Sequence, residues 1–247
     1  NRLDLRGRNG DALVADLPRP APGGEGPTEA VRAILAGGRG GGDSAIRSLT
    51  EKFDGVNIAD SRVSREGLLE ALTSIPAELA DALTEAADAV RTFHVAQLRD
   101  EHTVVRGGIS VTGRSVPVDR AGCYVPGGRG VYPSSVLMTV IPARVAGVPE
   151  IVLCVPPDRE TGKIAPATLA AAAIAGADEV RAIGGAQAIA AMAYGTETLR
   201  PVDVIAGPGN AFVAIAKREV AGLVGVPMAF AGPSEIVVIA DKTAPAD

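Results

Sequence analysis

The chain has 247 residues, 47% of them hydrophobic, and a formal net charge of −5. This length fits one large or two modest α/β domains with a sizeable core. The negative charge argues against nucleic acid and anionic membranes as partners, and the low aromatic content, without tryptophan, argues against a base-stacking surface. No secretory signal and no apolar run of transmembrane length is visible, so we expect a cytoplasmic protein.

The first part of the chain is predicted to be an arm followed by helices. Residues 1–27 are rich in proline and glycine and predict an extended arm. A short helix should follow and end at the glycine cluster 37–42, and Asp43 should cap the next one. Ser64 is expected to cap a third helix and Pro76 to begin a fourth. The core stripe predicted for the fourth helix is Leu79, Leu83, Ala86, Val90 and Phe93.

The rest of the chain has the pattern of a parallel sheet. Residues 103–106 and 109–118, joined by two glycines, predict a β-hairpin. From residue 121 onward, continuous apolar runs alternate with alanine-rich helical stretches, which indicates parallel strands covered on both faces. The predicted strands are residues 151–155, 179–183, 202–205 and 236–239, and the helices are residues 134–146, 166–175, 186–194 and 210–221.

The chain offers few metal ligands or nucleophiles outside its turns. His94 and His102 do not have the spacing of the zinc-binding HExxH pair. Cys123 and Cys154 lie in apolar runs and are predicted to be buried free thiols, which fits a reducing compartment. The charged residues 217–219 predict a solvated helix face.

Four glycine- and proline-rich turns at the ends of apolar runs are the candidate ligand-binding segments. They are residues 122–128, 184–188, 207–212 and 231–235. In an α/β sheet such turns gather at the carboxyl ends of the strands, where ligands bind. Glycines there let backbone N–H groups approach a ligand, and a helix N-terminus attracts phosphate.

Each polar side chain in these turns has a structural and a functional interpretation. Tyr124 either packs at a strand end or contacts a ligand. Gln187, at the mouth of an apolar helix, binds either ligand hydroxyls or a backbone group. Asn210 is either an N-cap or a cofactor contact, and its turn lacks the third glycine of GxGxxG. Ser234 could cap the turn before the last strand, and without a base beside it this serine is a poor nucleophile.

Taken in order, these motifs resemble those of the histidinol dehydrogenase family. The resemblance runs through nearly the whole chain. Residues 118–241, with Tyr-Pro-Ser-Ser at 132–135 and Gly-Gly-Ala-Gln-Ala-Ile-Ala at 184–190, look like the cofactor-binding half of the family. Leu-Asp-Leu-Arg at 3–6 and Phe-Asp-Gly-Val at 53–56 also fit the family.

The resemblance implies a function and a site. Family members oxidise L-histidinol through an aldehyde to L-histidine with two NAD and a zinc ion, the last step of histidine biosynthesis. Tyr124, Gln187 and Asn210 would bind NAD, and Ser234 would contact the amino-alcohol substrate. The family forms homodimers whose active site uses a tail of the partner subunit.

The resemblance also implies how the chain divides into domains. Residues 1–27 would be the arm. Residues 28–121 and 234–247 would form one incomplete Rossmann-like α/β domain, and residues 122–233 an inserted second one that binds NAD.

The chain departs from the family pattern in two places. By the resemblance, the family's zinc ligands and its catalytic Glu–His pair lie beyond Asp247, so no catalytic residue and no metal ligand is assigned here. Residues 226–230 lack the aspartate usual before Ala231. We therefore expect this chain alone neither to bind zinc tightly nor to oxidise histidinol. Two alternatives stay open: a relative that oxidises another polar alcohol, and a truncated NAD-binding module without catalysis.

Overall fold

A five-stranded sheet with helices on both faces forms the centre of the protein. The structure is a computed structural model that describes residues 25–127 and 130–227. Its helices are α1 Glu25–Asp54, α2 Arg65–Ser74, α3 Ala77–Val95, α4 Pro133–Val145, α5 Pro166–Ala175, α6 Gly185–Tyr194 and α7 Ala211–Val220. Its strands are β1 Arg62–Val63, β2 His102–Arg106, β3 Ile109–Gly113, β4 Arg120–Tyr124, β5 Glu150–Val155, β6 Glu179–Ala182 and β7 Val204–Ala206.

The sheet is mostly parallel, as its continuous apolar strands predict. The strand order is β1-β6-β5-β4-β7, and only the two-residue edge strand β1 runs antiparallel to its neighbour. Every residue of β4 and nearly every residue of β5 is buried. Strands buried along their whole length need helices on both faces, because their side chains point alternately to each side.

The helices after the two neighbouring strands β4 and β7 lie on opposite faces of the sheet. Val136 and Val140 of α4 belong to one core cluster, which also contains residues of α2, α3 and α5. Val213 and Ile215 of α7 belong to the other, with α1 and α6. In open α/β sheets a crevice forms outside the carboxyl ends of two strands whose connections diverge in this way.

The first helix ends at the glycine cluster 37–42, as predicted, but at its last residue rather than its first. The backbone stays helical up to Gly41, breaks at Gly42 (φ 52°, ψ −142°) and is helical again to Asp54, so α1 consists of two helical segments joined by a kink. Close packing explains Gly38: a Cβ atom on this residue would lie 2.8 Å from the Cβ atom of Ala190 in α6. The burial of Val31, Leu35 and Ile46 along α1 outweighs the low helix propensity of glycine.

Helices α2 and α3 begin as predicted, but the core stripe of α3 ends early. The Ser64 side chain caps α2 by accepting a hydrogen bond from the Gly67 N–H, and Pro76 directly precedes α3. Leu83 is buried, whereas Phe93 near the end of α3 is 63% exposed. The predictions for Phe93 and Ala86 are wrong: both are exposed, and Ala87 is buried next to Ala86.

The predicted hairpin is present as β2 and β3, joined by Gly107 and Gly108 with positive φ angles of 57° and 81°. Its second strand ends at Gly113, short of the predicted residue 118. Its strand residues are almost all exposed, so the hairpin adds little to the core.

The segments assigned to two domains share this sheet within the described residues. Strand β1, from the predicted first domain, pairs with β6, and α1 packs against α6 and α7. The predicted division also involves residues 234–247, which lie outside the described residues together with residues 1–24 and the strand 236–239. The division into two domains therefore stays a prediction. Across the residues that the structure describes, no helix is long and apolar enough to cross a membrane.

A buried ion-pair network lies at the amino end of the sheet. The carboxylate of Glu179 bridges two arginines, with 2.5 Å from Oε2 to Arg120 Nη2 and 2.6 Å from Oε1 to Arg181 Nε. Arg120 also binds Glu150, and Arg181 donates to the Thr198 carbonyl. Burial raises the pKa of Glu179, but the two arginines outweigh it and hold that pKa below its usual value.

Candidate functional site

Two of the glycine-rich turns meet at the carboxyl ends of β4 and β7. Cys123 pairs with Ala206 in the β4–β7 register, so Tyr124 and Gly207 follow side by side. Gly207 has a φ of +114°, and a Cβ atom on it would lie 2.0 Å from the Tyr124 carbonyl oxygen. Only glycine fits such a contact, because any side chain would overlap the neighbouring backbone.

Tyr124 joins the end of β4 to the start of α6. Its side chain is 3% exposed, and its hydroxyl oxygen accepts a hydrogen bond from the Gly185 N–H at 3.1 Å. Burial raises the pKa of Tyr124 to about 12, with smaller contributions that include the charge of Asp54. The hydroxyl is therefore protonated at neutral pH and keeps a proton to donate to a ligand.

Gln187 lies in the first turn of α6 and is 1% exposed. Its Nε2 atom donates to Asp54 Oδ2 at 3.0 Å, so the partner seen here is a side chain at the end of α1. Burial raises the pKa of Asp54, opposed by the charge of Arg159 and the bond from Gln187. Asp54 belongs to the Phe-Asp-Gly-Val motif, but no pattern in the sequence indicates that it would reach Gln187.

Asn210 is the N-cap of α7, as one of its two interpretations predicts. Its Oδ1 atom accepts a hydrogen bond from the Val213 N–H at 3.1 Å, and its side chain is exposed. In the described part of the chain, the N–H groups of Ala211 and Phe212 have no backbone or side-chain acceptor. The N-cap role of Asn210 does not exclude a cofactor contact, because the NH₂ group of its side chain keeps both of its N–H donors.

Lys217 is not on a solvated face, so that prediction is wrong. The side chain is 3% exposed, and its Nζ atom donates to the Gly207 carbonyl at 2.8 Å. Burial lowers its pKa. The rule that charged residues lie on the solvent face of a helix does not identify Lys217 as buried. Its neighbours Arg218 and Glu219 are exposed, as predicted.

The structure thus brings three of the four predicted site residues to one edge of the sheet. Tyr124 accepts a hydrogen bond from Gly185 at the start of α6, and Gln187 lies in the first turn of that helix. Asn210 lies three residues after Gly207, at the start of α7. Ser234 lies outside the described residues. Two cavities of about 540 and 410 Å³ lie elsewhere and include none of Tyr124, Gln187 and Asn210 in their walls.

The described residues do not fit a zinc ion. Between residues 25 and 127 and between 130 and 227, no three His, Cys, Asp or Glu side chains are grouped to hold a metal. Cys123 and Cys154 are buried free thiols, as predicted, and burial raises the pKa of each to about 12. A zinc site usually needs three or four such ligands that converge on one point, and neither cysteine belongs to such a group among the described residues.

By the resemblance, the catalytic and metal-binding residues would lie in a part of the family sequence that follows Asp247. Asp247, beyond which the resemblance places both the Glu–His pair and the zinc ligands, itself lies outside the described residues. Both placements, of the Glu–His pair and of the zinc ligands, therefore stay predictions.

This arrangement defines a Rossmann-like α/β protein with glycine-rich turns where its strand connections diverge. Comparison with known proteins agrees: a sequence model described as histidinol dehydrogenase matches residues 19–247. The chain belongs to the histidinol dehydrogenase family.

Curated and solved relatives show how much of the family the chain covers. It is 51% identical over 215 residues to histidinol dehydrogenase of Methanothermobacter thermautotrophicus, covering 87% of this chain and 50% of the relative. The enzyme of Bacillus subtilis is 50% identical over the same shares. The crystal structure of histidinol dehydrogenase from Elizabethkingia anophelis superimposes with a TM-score of 0.87 at 36% identity, over 96% of this chain and 55% of that one. The chain therefore spans about half the length of these relatives.

Proposed function

We propose that this chain supplies the NAD-binding part of a histidinol dehydrogenase, which oxidises L-histidinol to L-histidine in the last step of histidine biosynthesis. The observation that carries the proposal is the contact between Tyr124 and Gly207 where the connections of β4 and β7 diverge. Family membership and the names of the relatives support it. The domain division, with residues 122–233 as the NAD-binding unit, belongs to the same proposal.

The residues at this edge fit a dinucleotide. NAD, when bound, supplies the hydride acceptor that an alcohol oxidation needs. The first turn of α7 offers the N–H groups of Ala211 and Phe212 to phosphate oxygens. The Tyr124 hydroxyl accepts a hydrogen bond from Gly185 and can donate its own proton to a ligand. Asp54 binds the amide nitrogen of Gln187, so the side-chain oxygen of Gln187 stays available to ligand hydroxyls.

We expect Tyr124→Ala and Gln187→Ala each to weaken NAD binding about tenfold or more, because each removes hydrogen-bonding groups and opens a buried site. Calorimetric titration of the chain with NAD measures this. Tyr194→Phe and Gln97→Ala are the controls, since Tyr194 ends α6 far from Gly185 and Gln97 contacts His94 on the surface. Unchanged affinity in both alanine variants would refute the assignment.

We expect the purified chain, ending at Asp247, to retain no zinc after dialysis and to produce no NADH from L-histidinol. The described residues hold no grouped metal ligands, and loss of a general base alone typically lowers a rate about 10²–10⁴-fold. Zinc content after dialysis and NADH absorbance test this. Zinc-dependent NADH production would show that the chain carries the catalytic machinery, contrary to the proposal.

The remaining features of the proposal rest on the family alone. Ser234 would contact the substrate amino group or hydroxyl, the zinc ligands and the Glu–His pair would come from beyond Asp247, and the whole protein would be a cytoplasmic homodimer. Sedimentation equilibrium of the whole protein tests the dimer. Comparing turnover of L-histidinol with that of other polar alcohols distinguishes this function from that of a relative with another substrate.

A further inference from the structure

Lys217 is a buried cation that no function so far explains. Its side chain is 3% exposed, and within the described residues its ammonium group forms no ion pair and has the Gly207 carbonyl as its hydrogen-bond acceptor. Burying an ammonium group without a carboxylate costs stability, because one carbonyl replaces only part of the lost hydration. An apolar side chain of similar volume would satisfy packing at this position without that cost.

The lysine reaches its partner because of how side chains leave a helix. Residue 217 lies in the second half of α7, and helical side chains lean toward the N-terminus, so its long stem runs back to the turn before the helix. The ammonium group then meets the carbonyl oxygen of Gly207 at 2.8 Å.

This contact fixes the orientation of the turn. Gly207 is pressed against the Tyr124 backbone, and its carbonyl points to the buried ammonium group rather than to solvent. The residues that follow, Pro208 and Asn210 to Phe212, are at least partly exposed. The turn therefore keeps its carbonyl inside and presents the first N–H groups of α7 outside.

We propose that Lys217 is a positioning residue for dinucleotide binding: it holds the Gly207 carbonyl inward so that the N–H groups at the start of α7 receive the phosphates of the ligand. A carbonyl turned outward would place a partial negative charge beside the phosphates. The positive charge of Lys217 also lies directly beneath the turn and attracts an anion. This inference rests on the proposed NAD site.

The test is Lys217→Met, which keeps most of the length of the stem and removes the ammonium group. We expect the dissociation constant for NAD to rise about tenfold or more, the usual effect of losing a hydrogen bond to a charged group. The melting temperature without ligand should be equal or higher, because the buried charge is gone. Amide hydrogen exchange of residues 207–212 should become faster in the free protein. Arg218→Met, which removes the same charge one position further at an exposed site, should change none of the three.

The outcomes separate this inference from the proposed function. If the wild type binds NAD and Lys217→Met binds it equally well, the positioning role is wrong and the NAD site stands. If Lys217→Met melts far below the wild type or does not fold, Lys217 is a structural residue and the inference is overturned. If the wild type binds no NAD, the proposed function fails, and the inference fails with it.

Discussion

Glu179→Gln should lower the free energy of unfolding by about 3 to 5 kcal/mol, the usual cost of removing one partner from a buried charge network. The Glu179 carboxylate gives one oxygen to Arg120 and the other to Arg181, whose side chains are 10% and 2% exposed. Glutamine keeps the shape but turns an NH₂ group toward one of the two guanidinium groups. The Nε of Arg120 already has no partner among the described residues, so the network has no spare acceptor.

Urea unfolding followed by circular dichroism measures the effect, since the chain has no tryptophan for fluorescence. The matched control is Glu219→Gln, which breaks the exposed pair of Glu219 with Arg32 and should change stability little. An equal, small effect of both substitutions would contradict the prediction.

The loss should also depend on pH in a defined direction. The pKa of Glu179 is lowered in the folded protein, so its contribution is fully present above the unfolded pKa of about 4.3. It is lost as the pH falls through the lower folded pKa. The stabilities of wild type and Glu179→Gln should therefore converge in acid. A difference that persists unchanged at low pH would mean that the carboxylate charge is not the cause.

The fold could be predicted because its signal is local. Continuous apolar runs alternate with alanine-rich stretches, and β5, β6 and α5 lie within a residue of their predicted bounds or match them. Strand β7 is displaced to Val204–Ala206, because the N–H of Val202 bonds to the Met192 carbonyl instead of joining the sheet. Where propensity and packing disagree, as at Gly38, packing decided the outcome, and a single sequence does not reveal what a glycine will pack against.

The site was predictable only in its turns. Glycines at strand ends mark Tyr124, Gln187 and Asn210. The contacts of Asp54 with Gln187, of Lys217 with Gly207 and of Glu179 with Arg120 instead join residues 10 to 133 positions apart. One signal for the network exists in the sequence: Arg120, Glu150 and Glu179 each begin a strand. Opposite charges at the first positions of neighbouring parallel strands lie at one edge of a sheet, where they can pair.

Gly207→Ala should weaken NAD binding about a hundredfold or more, because holding the turn in its binding conformation would then cost about 3 kcal/mol, and each 1.4 kcal/mol is a factor of ten in affinity. The new Cβ atom would lie 2.0 Å from the Tyr124 carbonyl oxygen, and a φ of +114° is strained for alanine. Backbone strain of this kind costs about 1 to 3 kcal/mol, and the overlap with Tyr124 adds to it. The turn must move away from β4, and the Gly207 carbonyl moves away from Lys217 with it.

The matched control is Gly222→Ala, because Gly222 also has a positive φ, +97°, but open space where a Cβ atom would be. It should carry the strain without the overlap, so the chain should lose about 1 to 2 kcal/mol of stability and keep its affinity for NAD. Calorimetric titration and thermal unfolding of both variants separate the two effects. If Gly207→Ala loses no more than Gly222→Ala in either measurement, the close contact between β4 and β7 does not shape the site. A large loss of affinity in Gly207→Ala alone would mean that the backbone of Tyr124 and the turn before α7 act as one unit, which no side-chain substitution could show.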